Sequence, residues 1–136
     1  MSHSEYLAIE VDQPQSLAIV RWLRPLQSKE YRYGVLKVGQ ALLDNHIQKL
    51  LVDSRRLGSP TLKDQAWVAE KMRDIFGRCG LRRLARLQSH DIFHQMAAEA
   101  VYKKVLQAPA PYRMREFSSE EDALEWLLGP NEDTSV

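Results

Sequence analysis

Ser59, Pro60 and Thr61 follow a charged turn, Asp53-Ser54-Arg55-Arg56, and stand at the opening of an amphipathic segment. Two chemistries are open to hydroxyls in that position. Serine and threonine oxygens cap helices by accepting the unpaired N–H groups of the first turn. The same N–H groups, at the positive end of the helix dipole, stabilise a phosphate or another anion. Ser59 and Thr61 are therefore the candidate phosphate acceptors. Arg55 and Arg56 are near enough in sequence to add charge-assisted hydrogen bonds.

Asp53 and Ser54 also form a second constellation with Ser89 and His90. Each pair follows an apolar run with strand character, so neighbouring strands would bring a hydroxyl, an imidazole and a carboxylate to one sheet rim. That is the inventory of a nucleophile, its base and the base's orienter. Neither a glycine elbow nor an oxyanion-hole motif accompanies it. The four residues are read as ligand or partner contacts, no catalytic residue is assigned, and the chain is expected not to be an enzyme. His90 and His94 stand four apart, on one side of a helix. Zinc needs three or four ligands, and no third histidine or paired cysteine joins them. Asp91 lies about 100° round the helix from His90 and adds little. No metal and no cofactor is expected.

Arg78, Arg82, Arg83 and Arg86 are the densest basic cluster. Single-stranded nucleic acid would call for aromatic residues interleaved with such charges. The nearest, Phe76 and Phe93, fall on apolar helix faces, so a nucleic-acid partner is not expected. A solvated sheet face or a self-association surface, with a homodimer as one outcome, fits the cluster better. Trp22, Trp67 and Trp126 fall on or beside core patterns and read as packing residues.

The elements that must position these groups are legible from period and punctuation. Tyr6 to Val11 and Leu17 to Leu23 are β-type runs with Gln13-Pro14-Gln15-Ser16 between them, which predicts an antiparallel hairpin. Tyr31, Val35, Val38 and Leu42 recur at helical spacing, with Ser28 as the expected N-cap and Asn45 as the stop. Ile47 to Val52 reads as a strand covered on much of both faces. A helix from about Pro60 to Arg78 follows, opened either by Ser59 with Pro60 in first position or by Thr61 with Asp64. Its apolar face is Val68, Met72, Ile75 and Cys79, and Gly80 ends it. Leu81 to Leu87 is the next strand. Ser89 opens a helix to about Gln107, with Phe93, Met96, Ala97, Ala100 and Val101 on its inner face. Tyr112 to Phe117 is a last strand. Ser118-Ser119-Glu120-Glu121-Asp122 starts a last helix, which Gly129-Pro130 stops, and its Leu124, Leu127 and Leu128 are expected on the sheet.

The 136 residues suit one domain, expected over residues 1–129 with a frayed tail at 130–136, and the net charge is only +1. The balance hides a division. From Arg55 to Arg86 nine basic residues accompany three acids, and after Arg115 there are seven acids and no Lys or Arg. Such asymmetry marks either a binding face or a tail lying near the basic segment. Cys79 is the single cysteine, so no intrachain disulfide is possible and a reducing compartment is the natural setting. The first residues lack a signal-peptide pattern, and no stretch approaches the roughly 20 apolar residues of a membrane span. A cytoplasmic location without membrane contact is expected.

With the elements in this order, the sequence resembles the SpoIIAA-like family of small bacterial STAS-type proteins, the fold of anti-sigma-factor antagonists. The resemblance runs from Tyr6 to Leu128 and is nearest to an uncharacterised branch with a tryptophan ending strand two, here Trp22. Its other pieces are Lys29-Glu30-Tyr31-Arg32, Leu51-Val52-Asp53-Ser54-Arg55, Gly58-Ser59-Pro60 leading to Asp64-Gln65-Ala66-Trp67, Gly80-Leu81-Arg82-Arg83-Leu84-Ala85, Asp91-Ile92-Phe93, and Glu121-Asp122-Ala123-Leu124-Glu125-Trp126-Leu127. It implies a single-domain α/β mixed sheet in the order β-β-α-β-α-β-α-β-α, an N-terminal hairpin plus mainly parallel strands, with helices chiefly on one face. It also implies a free sheet face toward which Arg86 would point. In STAS proteins a serine at the helix start after the central strand is phosphorylated, and this controls docking to a kinase-like partner. The matching region here is Ser59 to Thr61, which departs from the Asp-Ser-Ser/Thr-Gly pattern by carrying Pro60 and no Ser-Gly. The expectation is a non-catalytic regulatory or interaction module that meets a protein partner through Asp53, Ser54, Arg55, Arg56, Ser59, Thr61, Ser89 and His90. A small apolar or anionic ligand, held at the strand carboxyl ends or between helices and sheet, is the alternative.

Overall fold

A computed structural model describes residues 2–87 and 112–130 of the chain. Strand β2 (Leu7–Asp12) and strand β3 (Leu17–Trp22) pair antiparallel, with Leu7 opposite Trp22 and Asp12 opposite Leu17. The link between them is a short 3-10 turn, Gln13–Gln15, and Ser16 takes a φ of 53° to close it. Strand β4 (Lys49–Asp53) adds parallel to β3, strand β5 (Arg83–Leu87) to β4, and strand β6 (Arg113–Phe117) to β5. A two-residue strand β1 (Ser2–His3), not foreseen in the sequence, pairs with β2 and completes a six-stranded sheet in the order β1-β2-β3-β4-β5-β6. Hairpin first and parallel strands after is the expected mixed sheet. The parallel pairs need crossovers, which helices supply.

Helix α1 (Ser28–Asp44) and helix α2 (Leu62–Cys79) lie together on one side of the sheet. Ala18, Val20, Trp22, Leu50 and Leu84 form the sheet's half of that core, and Tyr31, Val35, Val38, Leu42, Ile75, Phe76 and Cys79 the helical half. Size sets how closely the layers approach. A Cβ on Gly34 would come within 2.8 Å of the Trp22 ring, and one on Gly39 within 2.4 Å of Ile75 Cδ1. The last helix, α3 (Glu120–Leu128), covers the opposite face, where Ala123, Trp126 and Leu127 meet Leu17, Leu51, Ala85 and Leu87. Two of the three described helices thus share a face, and the last packs on the sheet as its leucine pattern predicts.

Helix starts differ from expectation in an instructive way. Ser28 is not the N-cap of α1; Gln27 is, and the Glu30 side chain reaches back to accept from its N–H at 3.1 Å. Ser28 instead donates to Asp64 Oδ1 at 2.8 Å. For α2, of the two starts open in the sequence the Thr61–Asp64 one is realised: the Thr61 hydroxyl accepts from the Asp64 N–H at 3.1 Å. Ser59 and Pro60 remain in the loop, because Pro60 cannot donate and Thr61 can satisfy the orphan N–H directly. Gly80, at a φ of 78°, ends α2 as read. The helix expected from Ser89 to Gln107 lies outside the described residues, as does the tail beyond residue 130.

Candidate functional site

Strand alternation divides the candidate rim between two faces of the sheet. Asp53 follows Leu51 onto the α3 side, and the β3–β4 register sets it beside Arg21. Its carboxylate is gripped by the turn that follows: Oδ1 accepts the Arg55 backbone N–H at 3.2 Å and Nε at 2.9 Å, and Oδ2 accepts Nη2 at 2.8 Å. Arg21 Nη1 stands 3.9 Å from Oδ2 and also pairs with Glu120 at the start of α3. Burial alone would raise the Asp53 carboxyl, but the hydrogen bonds and charge of Arg55, with Arg21 behind, hold it below the usual carboxylate range. Arg55 is raised in turn, chiefly by its hydrogen bond to Asp53. The guanidinium foreseen as a phosphate contact is thus committed to a carboxylate.

Ser54 turns the other way. It is buried and lines a cleft between the sheet and the α1–α2 layer, so Asp53 and Ser54 look toward opposite sides. The two side chains therefore do not share one face of the rim. Ser89 and His90 lie outside the described residues, although the β4–β5 register does bring Leu87 beside Asp53. Beyond Ser54 the loop carries exposed Arg55 and Arg56, buried Leu57, and Gly58 at a φ of 84° packed on Pro25. Only glycine takes that backbone conformation without strain. Ser59, Thr61 and Leu62 are exposed beyond it, and Leu62 at 64% is the most exposed large apolar side chain among the described residues.

The start of α2 already holds a carboxylate. Asp64 is buried and accepts hydrogen bonds from Ser28 and, at 2.9 Å, from Arg32 Nε. Hydrogen bonding from Ser28, opposed by burial and reinforced by Arg32 and Thr61, keeps its carboxyl below the usual range. Arg32 also stacks over Trp67 at 4.9 Å. This cluster ties the first turn of α1 to the first turn of α2 and puts an internal anion where an external one was foreseen.

The basic cluster is dispersed by the same alternation. Arg86 does not reach a free sheet face. It points to the α1–α2 side, is buried with 6% of its surface exposed, and donates from Nη1 to Glu116 Oε1 at 3.0 Å. The cause is register: Arg86 shares a face with Leu84 and pairs across the ladder with Glu116. Arg83 points to the α3 side. Its Nη1 donates to the carbonyls of Trp126, Leu127 and Gly129 at 2.7, 3.3 and 3.0 Å, and its Nη2 to Pro130 at 2.6 Å. A strand arginine therefore closes the carboxyl end of the last helix, a role that no local pattern in the sequence announces. The acids after Arg115 partly answer these cations, with Glu116 on Arg86 and Glu120 on Arg21. Burial pushes the Cys79 thiol up, away from reactivity.

The cleft lies between helices and sheet, one of the two places expected for a small ligand, but its wall residues were hidden in the sequence, because they come from five elements and a loop. Its volume is about 120 Å³, its lining is mostly apolar, and Arg73 is the lining residue exposed to solvent. Among the described residues no group of three or more His, Cys, Asp or Glu side chains is placed to hold a metal, and no helix is long and apolar enough to cross a membrane.

No protein-family model and no curated protein matches the chain. Two solved structures share its fold. One is an uncharacterised protein of the DUF3478 family with a SpoIIAA-like fold from Shewanella loihica PV-4, at 21% identity and a TM-score of 0.58, covering 93% of this chain and 98% of that one. The other is the anti-sigma factor antagonist SpoIIAA in its unphosphorylated form, at 16% identity and a TM-score of 0.59, covering 88% of this chain and 94% of that one. The chain has the SpoIIAA-like fold that its sequence resembles.

Proposed function

We propose that this chain is a regulatory interaction module that docks a protein partner on the loop from Asp53 to Thr61 and the start of α2. The observation that carries this reading is the exposure of Arg55, Arg56, Ser59, Thr61 and Leu62 on one loop at the carboxyl end of β4. An apolar side chain framed by charges and hydroxyls, held by a rigid strand and helix, has the make-up of an interface hot spot. The anti-sigma factor antagonist of like fold supports a protein as the occupant. Phosphate gating belongs to the same reading, with Ser59 and Thr61, both exposed on the loop, as the acceptors. Ser89 and His90 would extend the surface, and a homodimer is one form the partner can take.

The test is affinity capture from the native lysate with three baits: wild type, Arg56→Glu combined with Leu62→Glu, and Leu128→Glu on α3. A protein retained by wild type and Leu128→Glu but lost with the double variant supports the loop surface. Equal retention by all three baits removes it. A second reading, uptake of a small ligand, is favoured by the cleft that Ser54 and Leu57 help to line.

A further inference from the structure

We propose that the cleft between the sheet and the α1–α2 layer is a binding site for a compact, uncharged, largely apolar molecule of about single-ring size carrying one hydrogen-bonding group. The proposal rests on the ligand reading and is independent of partner docking. The cleft, about 120 Å³ and open at the Arg73 rim, leaves apolar side chains of the sheet and both helices facing an unfilled space, and a guest that covered them would remove that apolar surface from water. The scale fits one ring, since an apolar cavity of about 150 Å³ holds benzene.

Polarity narrows the class further. Val20, Val52, Leu84, Val38 and Met72 give the space an apolar wall. The buried cation on that wall, Arg86, has its charge met by Glu116, so a charged guest would gain no net opposite charge there. Ser54 supplies the polar contact: it is a buried residue with a small hydroxyl side chain on the lining of the space. A guest bearing a hydroxyl or carbonyl group would meet it there. Arg73, exposed at the rim, marks the way in.

Phenol and toluene are the probes, added to the full chain alone and read by thermal melting and by amide NMR. Phenol is expected to raise the midpoint saturably and to shift the Ser54, Leu57 and Phe76 resonances, with toluene binding more weakly. Ser54→Ala should weaken phenol several-fold and leave toluene unchanged. Ala69→Leu, which fills the space, should abolish both effects, and Val52→Phe replaces it should that variant fail to fold. The site is overturned if neither probe moves the midpoint or those resonances up to its solubility, or if the perturbed resonances lie elsewhere. It is equally overturned if a folded, filled variant binds as the wild type does. Unchanged phenol binding in Ser54→Ala overturns the assigned polar contact. The two readings fail separately, because partner docking is scored by capture and this site by phenol binding to the isolated chain.

Discussion

Arg83 shows how much one side chain carries in this molecule. Four main-chain carbonyls at the end of α3 accept from a single guanidinium that is itself buried. Removing it leaves the buried carbonyls of Trp126 and Leu127 without this donor, each worth about 1–3 kcal/mol when orphaned. Arg83→Ala is therefore expected to lower stability by about 2–4 kcal/mol in urea titration, with Arg83→Lys restoring part of the loss through a single ammonium. Asp64 makes a second prediction. Its folded carboxyl lies below the ordinary value, first because Ser28 donates to it, so the unfolded chain takes up its proton at a higher pH than the folded one. The stability it contributes is complete above the unfolded value, about pH 4, and is lost as pH falls through the folded value. Asp64→Asn should thus flatten the acid limb of a stability–pH curve below about pH 4, while Asp53 and Glu30, shifted in the same direction, still contribute to the slope that remains. At this scale the sequence was least legible. The types at Asp53, Arg55 and Ser59 drew attention to the loop after β4, but which of them would pair with one another depended on strand register and helix start.

Among the described residues the elements from β2 onward were read well because their signals are local. Alternation, helical spacing, Gly80 and the Ser119 cap each specify a strand, a helix or an end without long-range information, and the structure departs at their ends by only a few residues. What local pattern could not give was the face each strand residue meets. Leu81 to Leu87 is apolar and basic by turns, and the choice of face for Arg83 and Arg86 rests on which helix lies over which side. The packing of α1 against its neighbours gives a prediction of its own. Gly39 would press an added methyl on the mobile tip of Ile75, which can rotate aside, and alanine gains up to about 1 kcal/mol in helix propensity. Gly34 would press on the rigid Trp22 indole, itself edge-on to Tyr31 at 5.3 Å. Gly39→Ala is expected to be close to neutral, and Gly34→Ala to cost about 1–3 kcal/mol. Thermal unfolding of the pair would check the ranking, which reverses if α1 can slide off the indole.

Across the whole molecule, the sheet has two apolar faces of unequal protection. Two long helices guard one, while on the other the described cover is the nine-residue α3. Leu127→Asp should loosen that cover selectively: dye binding to exposed apolar surface rises and near-ultraviolet signal from Trp126 falls, while the Trp22 environment persists. Simultaneous loss of both tryptophan signals would show instead that the faces unfold as one unit. The fold was legible from the sequence at this scale because element order, length and chain connectivity limit the available topologies. The general place of a cleft, between helices and sheet, was among the expectations, but its walls were not legible, being a property of how five elements and a loop fail to fill the volume they enclose.

The fastening of the last helix by a strand residue has a consequence during synthesis. Arg83 leaves the ribosome well before the carbonyls it will bind, and Leu51, Ala85 and Leu87 wait with it for their cover. A nascent chain halted short of Glu120 would lack the helix that packs on these side chains and the carbonyls that answer Arg83. Surveillance proteases and chaperones could distinguish such a fragment from the finished product, so premature termination in the final segment should yield rapid turnover rather than a half-working protein.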